Sequence, residues 1–218
     1  MSVFGSLIDQ TEVISILKDA VEASRMVDNK TQSMTNTWLF TGPPGSGRSN
    51  AAIAFAAALV CKDGGCSKCN DCMSTIIGTH ADVELIKTAG LSIKIDEVRE
   101  LISRASWAPS VANYRVVVME DADRLTESAA NALLKVIEEP GLRTIWLLCA
   151  PTLTDVLPTI RSRCRHLSLR TPSTKAIAKL LIERDGVESG TADFVARASG
   201  GHIGRARRLA TDSTAKEN

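Results

Sequence analysis

Residues 37–61 read TWLFTGPPGSGRSNAAIAFAAALVC, which is a short apolar run, a glycine-rich turn and an alanine-rich run in direct succession. The apolar run is typical of a strand and the alanine-rich run of a helix. A glycine loop between a strand and a helix can place an anion at the helix N-terminus. The stretch therefore favours an α/β fold with a phosphate-binding loop, and an ordinary Pro-Pro-Gly turn is the alternative.

The loop itself, GPPGSGRS at 42–49, follows the spacing G-x-x-x-x-G-K-[ST] except that arginine stands where the lysine is expected. In that motif the glycines let backbone N–H groups surround a phosphate chain, the lysine reaches the outer phosphates and the hydroxyl holds Mg²⁺. Arginine keeps the positive charge, but its planar guanidinium is bulkier than the lysine amine. The sequence therefore leaves open whether the loop binds ATP and Mg²⁺. The candidate cofactor-binding residues are Gly42, Gly45, Gly47, Arg48 and Ser49.

Outside this stretch, apolar runs alternate with helical patterns. Further strands are predicted over 82–86, 115–119, 144–149 and 165–169, helices over 7–24, 93–107 and from about 126 to the residues before 140, and a loop over 28–36. This alternation predicts a parallel sheet of the α/β class, with the phosphate-binding loop at the carboxyl end of a strand. From 171 onward the pattern is helical only, with helices over 173–183 and 191–199, a third from about 204, and a frayed polar end at 211–218. We therefore predict an α/β domain over 1–170 and a small helical lid domain over 171–218.

An acidic pair, Glu120 and Asp121, directly follows the predicted strand 115–119. A phosphate loop needs such carboxylates nearby, because one orients Mg²⁺ and a second positions the attacking water. We interpret Glu120 and Asp121 as candidate catalytic residues. The alternative is that they are solvated or helix-capping acids of a turn.

Composition limits the partners and the compartment. The 218 residues are 44% hydrophobic and 4% aromatic, with a formal net charge of +1, so broad basicity gives no argument for nucleic-acid binding. Arginines cluster only locally, at 161–170 and 205–208. The N-terminus lacks the features of a signal peptide and no run of eighteen apolar residues occurs, so we expect a cytoplasmic protein without a membrane partner.

Four of the six cysteines lie in CKDGGCSKCNDC, residues 61–72. Their spacing, C-x4-C-x2-C-x2-C, is typical of a tetrahedral Zn²⁺ site, and four sulfur ligands leave no open position for catalysis. We predict structural zinc at Cys61, Cys66, Cys69 and Cys72; disulfides and an Fe–S cluster are the alternatives. Cys149 lies in an apolar run and is predicted to be a small core residue.

Two long segments carry a family resemblance: VVVMEDADRLTESAANALLKVIEEP at 116–140 and LLCAPTLTDVLPTIRSRC at 147–164. Together with the cysteine insert, they resemble the bacterial DNA polymerase III clamp-loader branch of the AAA+ ATPases, over about 6–210. The resemblance implies a RecA-like P-loop fold and a subunit of an assembly that uses ATP to load a sliding clamp onto primed DNA during replication. It also implies partners: the tau/gamma and delta subunits, and the clamp and DNA through the assembly.

Within that family, tau/gamma subunits hydrolyse ATP, whereas the delta prime subunit typically has a damaged site and lends an arginine to its neighbour. The chain is closest to the delta prime type because of four departures. Arg48 replaces the lysine of the loop, and Glu120 and Asp121 reverse the family's Asp-Glu pair. The polar residue expected after strand 144–149 falls on Ala150 or Pro151, and the position of the lid arginine falls on Gly204, with Arg205 beside it.

The motif Ser162-Arg163-Cys164 is intact. In the family it supplies an arginine finger to ATP on the next subunit, so the resemblance implies that Arg163 is catalytic in trans. A plain ion pair at a strand start is the alternative. The family usually continues into a C-terminal collar domain, which we expect to be absent here.

Two rival functions remain. An active tau/gamma-type ATPase would need Arg48 to replace lysine and the acidic pair to work in reversed order. A zinc-bearing nucleic-acid binder is disfavoured, because single-strand binders combine a basic groove with stacking aromatics.

Overall fold

The computed structural model describes residues 2–26, 34–88, 90–141 and 143–214. In this part of the chain five strands form one parallel sheet in the order β2-β3-β4-β1-β5. The strands are β1 (Thr37–Thr41), β2 (Val83–Ile86), β3 (Arg115–Met119), β4 (Thr144–Ala150) and β5 (Arg165–Ser168). Since all strands are parallel, their carboxyl ends share one edge of the sheet.

Helices connect the strands and then continue alone. They are α1 (Thr11–Ala23), α2 (Arg48–Val60), α3 (Asn70–Ile77), α4 (Ile95–Ala105), α5 (Glu127–Glu138), α6 (Pro158–Arg161), α7 (Thr174–Asp185), α8 (Ser189–Ala198) and α9 (Ile203–Thr214). Three short 3₁₀ turns lie at Val3–Ser6, Ala122–Arg124 and Leu153–Asp155. None of the helices in the described ranges is long and apolar enough to cross a bilayer.

Strands β1, β3 and β4 are buried along their whole length because helices cover both faces of the sheet. Side chains alternate between two core clusters, as the two-residue period of a strand requires. Trp38 and Phe40 of β1 pack with Phe55 of α2, whereas Leu39 packs on the opposite face with Leu133 of α5. The apolar runs of β1, β3 and β4 are therefore continuous because neither face of these three strands meets water.

Helices α7 to α9 share a separate apolar cluster. Ile177 and Leu181 of α7 pack against Val195 of α8 and Ala206 of α9. The prediction of an α/β sheet with P-loop topology followed by a helical part is confirmed. The exact division at residue 170 stays a prediction.

The predicted strands agree with the observed ones within one residue at each end. The first helix is shorter than predicted: it begins at Thr11 rather than 7, because Asp9 has a φ of 57°, in the left-handed region that a helix cannot include. Helix α3, which lies in and after the cysteine stretch, was not predicted. The predicted frayed end is partly wrong, since α9 continues to Thr214; residues 215–218, and most of the predicted loop 28–36, lie outside the described residues.

Candidate functional site: the glycine loop, the arginine edge and the cysteine cluster

The glycine loop follows β1 at the carboxyl edge of the sheet and leads into α2. Gly47 has a φ of 85° and immediately precedes the first residue of that helix, Arg48. The N–H of Gly42 donates to the carbonyl oxygen of Pro151 at 3.1 Å. A Cβ at Gly42 would lie 2.7 Å from the carbonyl oxygen of Leu169, so only glycine fits there. The predicted strand, loop and helix N-terminus are thus brought together.

The guanidinium of Arg48 is turned back onto the loop. Its Nη1 donates to the carbonyl oxygen of Gly42 at 2.9 Å. Its Nε is buried and has no hydrogen-bond partner among the described residues, and the same holds for the hydroxyl of Ser46. The cation that would meet the outer phosphates therefore bonds a carbonyl of its own loop.

The helical part of the chain contacts this loop directly. Gly45 has a φ of 90°, and a Cβ on it would lie 2.7 Å from the Cα of His202, just before α9. The position expected for the family's lid arginine, at Gly204 and Arg205, lies in the first turn of α9. The Arg205 N–H donates to Nδ1 of His202 at 3.3 Å. His202 was missed by sequence reasoning because it is a single residue in a glycine-rich turn, outside any recognisable motif.

Two residues before α1 join the loop to the helical part, and sequence reasoning missed both. Gln10 is 4% exposed; its Nε2 donates to the carbonyl oxygen of Arg170 at 2.7 Å and to that of Ser46 at 3.5 Å. Its Oε1 accepts the Arg170 N–H at 3.3 Å. The Asp9 carboxylate accepts from the Ser173 N–H at 2.8 Å and the Ser173 hydroxyl at 2.7 Å. These hydrogen bonds hold the pKa of Asp9 below its usual value.

The acidic pair lies at the end of β3, on the same edge as the glycine loop. The charges of Glu120 and Asp121 add to the effect of burial in raising the pKa of the Cys149 thiol, and the charge of Arg48 opposes them. Glu120 directly follows β3, which pairs with β4, and β4 pairs with β1, which leads into the glycine loop. The two acids therefore lie at the same edge of the sheet as the loop, and their catalytic role stays a prediction.

The two acids differ in their partners. The Asp121 carboxylate accepts the Thr88 N–H at 3.2 Å and lies 3.9 Å from the Nε of Arg124. These contacts are the ones expected of an acid that stabilises a turn, which was the alternative to a catalytic role. The Glu120 carboxylate has neither a hydrogen bond nor an ion pair with any described residue. Within the described residues, Glu120 is thus the acid of the pair whose carboxylate is not engaged.

Arg163 lies at the opposite edge of the sheet. It follows α6 and immediately precedes Cys164 and β5, so it is at the amino end of a strand that runs parallel to β1. Four residues of strand, about 13 Å at 3.3 Å per residue, separate this edge from the glycine loop. Its Nε and Nη2 both contact Oε1 of Glu138 at 2.6 Å. The ion pair at a strand start, which was the alternative to an arginine finger, is therefore present.

The four sulfurs of the predicted zinc site lie within 4.8 Å of one another. Cys61 Sγ is 3.8 Å from Cys66 Sγ and 3.6 Å from Cys69 Sγ. A Zn–S distance of about 2.3 Å sets the edges of a sulfur tetrahedron at about 3.8 Å, so the cluster fits a metal of this size. The four cysteines are free thiols, and Cys72 at the start of α3 is fully buried.

Backbone N–H groups favour the thiolate form of Cys61, whereas burial raises the pKa of Cys72. Burial opposes ionisation of Cys61, but N–H donors from Cys66, Gly65 and Asp63 together lower its pKa to about 6. The Cys69 N–H points at Cys66 Sγ and the Cys72 N–H at Cys69 Sγ, each at 3.4 Å. The four cysteines can hold a metal ion, and the donor set is consistent with zinc.

The other two cysteines differ from these. Cys149 is 0% exposed, which confirms its prediction as a core residue. Burial raises the pKa of Cys164 to about 12. Both thiols therefore stay protonated at neutral pH, and both lie outside the four-cysteine cluster.

The parallel sheet, the glycine loop at its carboxyl edge and the helical part that rests on that loop define the P-loop AAA+ class. The solved RuvB Holliday junction branch migration motor of Thermotoga maritima shares this fold, with a TM-score of 0.66 at 19% identity over 94% of this chain and 61% of that one.

The family model described as DNA polymerase III, delta subunit, matches residues 14–173. The chain belongs to this family of clamp-loader subunits. It is 32% identical over 179 residues to the DNA polymerase III subunit delta' of Bacillus subtilis, covering 81% of this chain and 52% of that protein. It is also 32% identical over 208 residues to the gamma/tau subunit of Mycobacterium tuberculosis, covering 91% of this chain and 35% of that protein. The chain thus spans about half or less of the length of these relatives.

Proposed function

We propose that this chain is a clamp-loader subunit of the delta prime type, with a degenerate ATP site of its own and an arginine, Arg163, that acts on ATP bound to a neighbouring subunit. In this proposal it works in the cytoplasm with tau/gamma and delta subunits, which load a sliding clamp onto primed DNA. Residues 1–170 form the α/β domain and 171–218 the lid, and a zinc ion at the four cysteines stabilises the first of them.

The observation that carries the proposal is the hydrogen bond from Arg48 to the Gly42 carbonyl. A lysine in the phosphate loop extends toward the outer phosphates as a compact charge. Here the cation bonds an oxygen inside the loop, and His202 lies against Gly45. A nucleotide that engages Arg48 through its outer phosphates has to break the Arg48–Gly42 hydrogen bond.

The position of Arg163 supports its action in trans. It lies at the amino edge of the sheet, whereas the chain's own phosphate loop lies at the carboxyl edge. A phosphate that Arg163 contacts must therefore belong to another molecule. An arginine finger of this kind raises the rate of phosphoryl transfer by about 10³- to 10⁵-fold.

Two measurements test the proposal. Titration calorimetry of Mg·ATP into the isolated chain should give no measurable binding, and the isolated chain should not turn ATP over. In the reconstituted clamp loader, Arg163→Ala should lower the ATPase kcat at the site of the neighbouring subunit without lowering the melting temperature of the chain. Turnover by the isolated chain, or an unchanged kcat with Arg163→Ala, contradicts the proposal.

An active tau/gamma-type ATPase is the second candidate. The buried hydroxyl of Ser46 and the Nε of Arg48 have no partners in the described ranges, and buried polar groups ordinarily have them. A bound phosphate would satisfy both, and Glu120 lies free beside the loop. Tight binding of Mg·ATP with turnover that is lost in Glu120→Gln would favour this candidate.

A further inference from the structure

The guanidinium of Arg163 is held by its own chain on two sides. On one side Nε and Nη2 contact Glu138 Oε1, both at 2.6 Å. On the other side Nη1 donates to the Thr159 carbonyl oxygen at 2.9 Å and to the Ser162 hydroxyl at 3.2 Å. An exposed arginine ordinarily samples many rotamers, so contacts on both sides of the guanidinium restrict it to one orientation.

This arrangement leaves part of the guanidinium available. A guanidinium has five N–H donors. Three of them donate the hydrogen bonds just described, whereas Nη2 contacts Glu138 Oε1 as an ion pair and donates no hydrogen bond to the residues that the structure describes. The side chain of Arg163 is 39% exposed and that of Glu138 is 47% exposed, so both face the surface of the chain. The arginine is oriented but not buried.

Glu138 comes from a different element. It is the last residue of α5, and the helix leads back to the amino edge of the sheet, where β4 begins. Its carboxylate therefore meets Arg163 through the tertiary fold rather than through local spacing, because 25 residues separate them. Its neighbour Glu139 is also exposed, and its side chain makes no hydrogen bond or ion pair with the described residues.

We propose that Glu138 is a positioning residue for Arg163: it fixes the orientation of the guanidinium before a neighbouring subunit docks, so that Nη2 is directed at the incoming phosphate. The inference rests on the proposed role of Arg163 in trans. Its physical basis is preorganisation, because an arginine that is already ordered loses less entropy when it engages the transition state. Ser162 and the Thr159 carbonyl complete the support on the opposite side.

If Glu138 restrained Arg163 instead of positioning it, removal of Glu138 would change kcat in the opposite direction. A carboxylate beside the finger also competes with a phosphate for the same cation. If Glu138 restrained Arg163 in this way, removing the carboxylate would raise the rate of hydrolysis. The two-sided support favours positioning, since a restraint needs only one contact.

The test uses the full chain in a clamp loader reconstituted with the ATPase subunits of the same organism, with kcat and KM for ATP measured in the presence of clamp and primed DNA. Glu138→Ala should lower kcat about threefold to tenfold, which corresponds to about 0.7–1.4 kcal/mol, with KM unchanged. Glu138→Gln keeps an acceptor oxygen and should lie between Glu138→Ala and the unsubstituted chain. Glu139→Ala is the matched control, because it removes the same charge one residue away, and it should leave kcat unchanged.

The double variant separates positioning from a general effect. In an Arg163→Ala background, Glu138→Ala should cause no further loss, since the residue that it orients is gone. A kcat that Glu138→Ala leaves unchanged or raises, while Arg163→Ala lowers it, overturns the inference alone. Equal losses from Glu138→Ala and Glu139→Ala also overturn it. If Arg163→Ala has no effect, the proposed function fails, and the inference fails with it.

Discussion

At the scale of single residues, we expect Arg48 to determine whether the glycine loop is open to a nucleotide. Its guanidinium hydrogen-bonds the Gly42 carbonyl oxygen, a contact that a lysine amine is less suited to hold. We expect Arg48→Lys to bind Mg·ATP measurably in titration calorimetry, at least about tenfold above the detection limit, which corresponds to about 1.4 kcal/mol, whereas the unsubstituted chain shows no binding. Arg99→Lys, on the exposed face of α4, is the control. No measurable binding by Arg48→Lys would show that another feature closes the loop.

Asp82 is a residue whose importance lies in stability. It is 0% exposed, and its carboxylate accepts the N–H groups of Ser110, Val111 and Ala112 at 2.7, 2.7 and 2.8 Å. Burial opposes ionisation, but these donors and the charge of Arg115 hold the pKa of Asp82 below its usual value. Asp82→Asn should lower the free energy of unfolding by about 3 kcal/mol, because hydrogen bonds to a charged group are lost or weakened.

The contribution of Asp82 to the free energy of unfolding depends on pH in a definite direction. Because its folded pKa is depressed, its contribution to stability is present above the unfolded value of about 3.9 and is lost as the pH falls through the folded pKa. Urea denaturation between pH 7 and pH 3 should therefore show a larger loss of stability in the unsubstituted chain than in Asp82→Asn. Parallel curves for the two proteins would contradict the assignment.

At the scale of secondary-structure elements, helix α3 depends on the cysteine cluster. Its N-cap is Cys69, whose sulfur accepts the Cys72 N–H at 3.4 Å, and Cys72 lies in its first turn. We expect about one Zn²⁺ per chain in metal analysis, as a four-thiolate site holds one ion. Chelation, or Cys66→Ser, should lower the melting temperature and increase amide exchange over 61–77. Cys164→Ala is the control, because its thiol lies outside the cluster.

A well-folded chain that contains no metal would contradict this prediction. So would a melting temperature that chelation leaves unchanged. The affinity should also fall at acidic pH, because protons compete with the metal for the thiolates.

Which elements form is largely predictable from the sequence. The buried runs at 115–119 and 144–150 are continuous because both faces of a parallel strand are covered, and Thr126 caps α5 through its hydroxyl, as expected. The start of α1 and the presence of α3 were not predictable with the same rules. The first depends on the left-handed backbone of Asp9, and the second on a sulfur cap inside a stretch rich in polar and glycine residues.

At the scale of the whole molecule, Gln10 joins the sheet to the helical part. It bonds both backbone groups of Arg170 and the carbonyl oxygen of Ser46, while Asp9 bonds Ser173. Gln10→Ala leaves these buried backbone groups without partners, so we expect a loss of about 1–3 kcal/mol in stability. Amide exchange should increase in α7 to α9 and around the glycine loop. Glu12→Ala, an exposed change in the first turn of α1, is the control, and equal exchange in both variants would contradict the prediction.

The sequence by itself determined the elements and their kind, because local propensity, the period of apolar residues and close ligand spacing act over a few residues. It thereby indicated the parallel sheet, the glycine loop, the acidic pair after β3 and the four-cysteine cluster. Only the tertiary structure decided which distant groups meet: Arg48 with Gly42, His202 with Gly45, Gln10 with Arg170, and Glu138 with Arg163. Such contacts depend on the order of the strands in the sheet and on where each connecting helix packs. Single side chains leave no periodic pattern in the sequence from which these contacts could be predicted.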